Sequence, residues 1–227
     1  MTLARSPRAA TLVAVLSALI LVGWGVGALV TSALTPAHLD TVRDVASDRT
    51  PAATVVAHVS SSIGSGFVVF PVALACCLTF SRQRRRAAAL AVVLSTVGAQ
   101  LIIDLDELLV GRRRPPLRHL DPVTGHSFPS GHTGQTAALC ALLVIEGFVL
   151  GGARPPQFAA LVAGGLLLAC VAFTHVYLGV HYPSDVLAGA VLGLTWSAVT
   201  SRLGHFWNST DERSELPIGA QGAAWAR

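Results

Sequence analysis

Five imidazoles, two carboxylates and a run of arginines are gathered in two short stretches of this chain, GRRRPPLRHLDPVTGHSFPSGHT (111–133) and THVYLGVHYPSD (174–185). Guanidinium forks suit the oxygens of a phosphoryl group, and so do unpaired backbone N–H groups. Ser130-Gly131 leads directly into an apolar run and can supply such amides, because the first turn of a helix has free N–H groups and the positive end of the dipole. Gly131 also lets a ligand approach the backbone closely. His181 and Asp185 stand four residues apart across Pro183-Ser184. A carboxylate one turn along can take one imidazole N–H and leave the other nitrogen free to attack phosphorus. His132 would face the same point and protonate the leaving oxygen.

The elements that position these groups are apolar. Of 227 residues, 52% are hydrophobic and only 12% charged, and the mean hydropathy is +0.62, which excludes a domain with a polar skin and implies a membrane protein. All 16 basic residues are Arg, a bias that points to a high-GC bacterium and hence to its plasma membrane. The net charge of +4 is spread over short connections and tails, which suits orientation in a bilayer and argues against a nucleic-acid face. Cys76, Cys77, Cys140 and Cys170 lie inside apolar runs, without metal-site spacing, and are expected to pack as small hydrophobes.

About 20 apolar residues cross a bilayer as a helix. Six stretches qualify: 9–34, read as an uncleaved anchor, then 55–80, 87–110, 131–150, 158–180 and 184–201. The expected organisation is a first transmembrane helix with an outer connection (1–54), a core of five transmembrane helices (55–203) and a flexible cytoplasmic tail (204–227). With the N-terminus inside, ten arginines fall on the cytoplasmic side and six outside, four of the six in the Arg112–Arg118 cluster. Both termini are then cytoplasmic, and the two polar stretches meet at the outer face.

At ELLVGRRRP (107–115), PSGH (129–132) and HVYLGVHYPSD (175–185) the chain strongly resembles the type 2 phosphatidic acid phosphatases, membrane lipid phosphatases that share a site with vanadium haloperoxidases. The order and spacing of three motifs carry the resemblance, which covers about residues 55–200. It implies an all-α, six-helix transmembrane bundle that hydrolyses a lipid phosphate monoester or pyrophosphate, of the phosphatidic acid, phosphatidylglycerol phosphate or polyprenyl diphosphate class. His181 is implied as the nucleophile that forms a phosphohistidine, Asp185 as its orienter, and His132 as general acid and then base. Arg114, Ser130 and Gly131 are implied as phosphate binders, with Arg112 beside them. No metal or cofactor is implied; the partners are the lipid substrate and the bilayer.

Two positions depart from the family pattern. Glu107 stands where the first motif opens with Lys, and His175 where the third opens with Arg. A carboxylate about 4 Å from a phosphate is a handicap of roughly 4 kcal/mol at an effective dielectric near 20. Arg112 and Arg113 are the nearest groups to neutralise it; alternatively Glu107 is protonated, or pairs with a charged His175, which would keep that histidine at the phosphate. Two other outcomes follow from the same changes: a catalytically impaired lipid-phosphate binder, or a phosphotransferase using the same histidine. Asp104 and Asp106 are expected to solvate a helix end, and His58, His119 and His126 are not selected by their spacing.

Overall fold

The computed structural model describes residues 33–214, with side chains as far as residue 205, and scattered positions between 18 and 29. Among the described residues all regular structure is helical: α1 (Thr35–Ser47), α2 (Pro51–Gly64), α3 (Gly66–Arg82), α4 (Arg86–Val110), α5 (Gly131–Gly151), α6 (Pro155–Tyr177) and α7 (Pro183–Ser214). Helices α4 to α7 are each long and apolar enough to cross a membrane. Leu101, Leu108, Leu166 and Leu187 stand exposed on them, and Phe67 on α3, as a lipid-facing surface requires.

Three expectations change. The span expected over 55–80 is two helices, α2 and α3, bent by 43°. Ser65 breaks it with extended backbone (ψ 155°), flanked by Gly64 and Gly66, which hold a helix weakly. Gly64 is also where α2 presses on α6 and α5, since a Cβ there would lie 2.8 Å from Val171 and 3.0 Å from Thr136. The described residues therefore contain four spans, or five if the bent pair counts as one, and the stretch 9–34 lies for the most part outside them. The connection before α2 is itself helical. Pro36 starts α1 rather than blocking it, because a first-turn proline loses no helical hydrogen bond. Finally, α7 continues to Ser214 rather than ending near 201, so part of the expected tail is helix; residues 215–227 lie outside the description.

Helices α5 and α7 form the centre. A Cβ at Gly189 would lie 2.5 Å from the Ser130 carbonyl, and one at Gly193 would collide with that of Gly134, so small residues bring the two backbones together. Ser95 of α4 and Ser197 of α7 share the Ala138 carbonyl of α5, which ties all three helices with buried hydroxyls. Gly111, at φ +60°, ends α4 in the left-handed conformation and turns the chain into the arginine run. That long connection is lashed to the short one after α6: Leu120 N–H donates to the Leu178 carbonyl at 3.1 Å, and Arg114 to that of Val180 at 2.9 Å. The two polar stretches thus share one end of the bundle.

Candidate active site

His181 is buried, and its two nitrogens face opposite kinds of partner. Nδ1 lies 2.7 Å from the Ser127 carbonyl, which can only accept, so Nδ1 carries the proton. Nε2 lies 3.1 Å from Nη1 of Arg114, which can only donate, so Nε2 presents its lone pair. The orientation of the ring therefore comes from a main-chain carbonyl. Asp185, expected to accept this proton, is 3.6 Å from Nδ1, beyond a hydrogen bond. Its carboxylate takes the Ser127 hydroxyl, the Tyr182 N–H at 2.8 Å and Nη1 of Arg112 instead. Asp185 holds the segment that holds the imidazole.

The arginines divide by depth. Arg112, expected at the phosphate, is 2% exposed and turned inward. It bridges Asp185, Ser184 (2.8 Å) and Thr35 (2.9 Å), and its guanidinium lies over the Tyr182 ring at 4.0 Å. Its charge is spent on Asp185. Arg113 is exposed. Arg114 is the cation that faces His181, fixed by the carbonyls of Val180 and Thr124, each at 2.9 Å, and its buried Nε has no partner among the described residues. Burial lowers its pKa, opposed by Glu107 and then Asp185, but a guanidinium stays charged.

Glu107 does not meet His175. It sits 3.9 Å from Nη2 of Arg114, under the loop at Gly125, where a Cβ would lie 2.8 Å from Oε2. The neutralising cation is Arg114 itself, rather than Arg112 or Arg113, because α4 ends directly beneath that guanidinium. His175 is 2% exposed and stands between the other two imidazoles, with ring centroids 4.6 Å from His132 and 5.7 Å from His181. Its Nδ1 lies 2.8 Å from the Val171 carbonyl and so carries a proton, which leaves its Nε2 as an acceptor while the ring is neutral.

At the start of α5 the Ser130 amide is not free, since it donates to the Asp185 carbonyl at 3.0 Å, and its hydroxyl pairs with that of Thr133. The amides at the start of α5 without a helical acceptor are therefore those of Gly131, His132 and Thr133, which have no carbonyl one turn earlier within the helix. Sequence reasoning passed over Ser127, which serves both His181 and Asp185. Its place in HSFPSGHT was the only signal, and two serines in one loop cannot be ranked by type. It also left His58 unselected; His58 Nδ1 and the Ser61 hydroxyl bind the carboxylate of Asp121, at 2.6 and 2.8 Å.

Arg114, His181, His175, His132 and the amides that open α5 thus face one another at one end of the bundle, and the PAP2 superfamily pattern matches residues 88–209, which contain all of them. The chain belongs to the PAP2 superfamily. This PAP2 protein is 32% identical over 147 residues to an undecaprenyl-diphosphatase of Sulfolobus acidocaldarius, covering 62% of this chain and 65% of the relative. It is 34% identical over 110 residues to a decaprenylphosphoryl-5-phosphoribose phosphatase of Mycobacterium tuberculosis, covering 47% and 55%. The matches span less than two thirds of these relatives' length. In fold it is similar to a transmembrane PAP2-type phosphatidylglycerolphosphate phosphatase of Bacillus subtilis, with a TM-score of 0.73 at 21% identity over 84% of this chain and 96% of that one. PAP2 membership and four apolar helices make it a membrane protein of a phosphatase superfamily.

Proposed function

We propose that this PAP2 protein is a phosphatase that hydrolyses a lipid phosphate monoester or pyrophosphate through a phosphohistidine. The single observation that carries the reading is the state of His181: one nitrogen is proton-bearing and anchored to Ser127, and the other offers a lone pair toward a fixed guanidinium. A phosphate entering between Arg114 and His181 takes the arginine's N–H groups onto its oxygens and leaves Nε2 facing phosphorus. Nε2 attacks, the bond from phosphorus to the leaving oxygen breaks, and that oxygen takes a proton from His132. A water then gives its proton to His132 as its oxygen attacks phosphorus, and the P–N bond breaks to release phosphate. The amides of Gly131, His132 and Thr133 bind the charge that builds on the equatorial oxygens.

The charge pattern of the connections supports placing this end at the outer face, with both termini in the cytoplasm. A reporter fused after residue 120 should then be found outside; a cytoplasmic reporter overturns that placement. Function is tested by phosphate release in detergent from phosphatidic acid, phosphatidylglycerol phosphate and polyprenyl phosphates and diphosphates. Release that disappears in His181→Ala supports the reading, and release that survives it ends the phosphohistidine route. Glu107 beside Arg114 favours a second reading, a lipid-phosphate binder without turnover. No release from any substrate, but release in the double variant Glu107→Lys, His175→Arg, would select it. Turnover only with an added acceptor alcohol would mark a phosphotransferase.

A further inference from the structure

The described residues also border an apolar cavity of about 440 Å³, open to the side of the bundle and within the range of small-molecule sites. Val26, Phe128, Leu187, Val191 and Leu192 line it, and Leu187 and Val191 follow each other one turn apart along α7. Asp106 lines it too. This carboxyl is 0% exposed, and neither oxygen has a hydrogen-bond partner among the described residues. Any side chain at Gly23 would collide with it, so the chain passes directly over the carboxyl there and leaves no room for a protein donor on that side. Asp106 lies four residues before the end of α4, hence about 6 Å below the level at which the helix leaves the apolar zone.

A buried carboxyl without a protein donor is costly to keep. The apolar walls hold water poorly, so a donor has to arrive on a molecule that is otherwise apolar. The depth of Asp106 matches the junction between the headgroup and chains of a lipid. This cavity is also separate from the reacting nitrogen. Ser184 and His38 also line it, and the Ser184 hydroxyl accepts from Arg112 at 2.8 Å and shares a hydrogen bond with His38 Nδ1 at 3.0 Å. Burial, then the charge of Arg112, lowers the pKa of His38, which favours its neutral ring. The buried pair of Arg112 and Asp185 therefore stands as a layer between the groove and His181.

We propose that this groove is a second lipid site, which takes a membrane lipid whose headgroup hydroxyl or ammonium donates to Asp106 while one chain lies along α7. The site does not depend on phosphatase activity, and its test reads binding alone. The full chain, purified in detergent, is exposed to phosphatidylglycerol, phosphatidylethanolamine or phosphatidylcholine of one chain composition, and retained lipid is counted by native mass spectrometry. Phosphatidylglycerol offers hydroxyl donors, phosphatidylethanolamine an ammonium, and phosphatidylcholine neither. One or both of the donor lipids should be retained about tenfold more strongly than phosphatidylcholine, the effect of one charge-assisted hydrogen bond. That preference should vanish in Asp106→Leu and in Ala188→Trp, which fills the groove from α7. Asp106→Asn separates the two donors, since its carbonyl still accepts a hydroxyl but no longer pairs with an ammonium charge. Equal retention of all three lipids by the natural chain overturns the proposal and needs no variant. So does a preference that persists in Ala188→Trp.

Discussion

Helices α5 and α7 carry a buried carboxylate near a histidine at each end of their contact, and the two ends are built differently. At the end away from His181, Glu146 accepts from the Ser201 hydroxyl at 2.7 Å and from His205 Nε2 at 2.9 Å. The imidazole there is the acid's own donor, and its side chain is 35% exposed. At the His181 end, Asp185 is saturated by Arg112, Ser127 and the Tyr182 amide, and the imidazole of His181 turns to a carbonyl, only 3% exposed. The first arrangement joins two helices. The second uses the acid to stiffen a frame and leaves the lone pair of one imidazole nitrogen facing a guanidinium at 3.1 Å. Proximity of acid and histidine alone does not make a reactive site; what matters is which nitrogen remains unspent.

The contrast breaks if both ends respond alike. The largest effect is expected from His181→Ala, which should lower phosphate release by about 10⁴-fold or more, whereas His205→Ala leaves release within about twofold. Next is Arg112→Met, which strands Asp185 without its charge partner. Unfolding in detergent should show a loss of about 3–5 kcal/mol, with release falling as the frame around His181 loosens. A smaller effect sharpens the His181 end: Glu107→Gln frees Arg114 of its carboxylate neighbour, and KM for a lipid phosphate should fall by about threefold to tenfold with kcat little changed. An unchanged KM would mean that the carboxylate is not felt by the substrate. Last, His205→Ala should cost about 1 kcal/mol in the same unfolding measurement, the worth of an ordinary hydrogen bond.

Much of the architecture was legible in the chain. The apolar runs located α4, α5 and α6 within a few residues, because length and hydropathy alone decide whether a helix can span. The α2–α3 bend escaped, since Gly64-Ser65-Gly66 weakens a helix without saying that it must break, and the approach to Val171 decides that it does. The site was legible as a set of residue types in two stretches, but not as a set of bonds. Three consecutive arginines are equivalent on paper. Only the turn at Gly111 sends Arg112 inward to Asp185 and leaves Arg114 facing His181. Asp185 stands one turn after His181, yet the carbonyl of Ser127, 54 residues earlier, is closer to the ring. Glu107 and His175, plausible partners as a charge pair, end up against different neighbours, one under Arg114 and the other between two imidazoles.

By itself the sequence determined that this chain spans a membrane with helices, and that its polar chemistry is confined to two connections at one end. Hydropathy over a bilayer's thickness and helix-breaking residues are local properties, and no fold is needed to apply them. The tertiary structure alone decided which arginine, which serine and which imidazole nitrogen face one another. Those assignments depend on hydrogen bonds between groups far apart in the chain, and each buried donor or acceptor takes the partner that packing brings nearest.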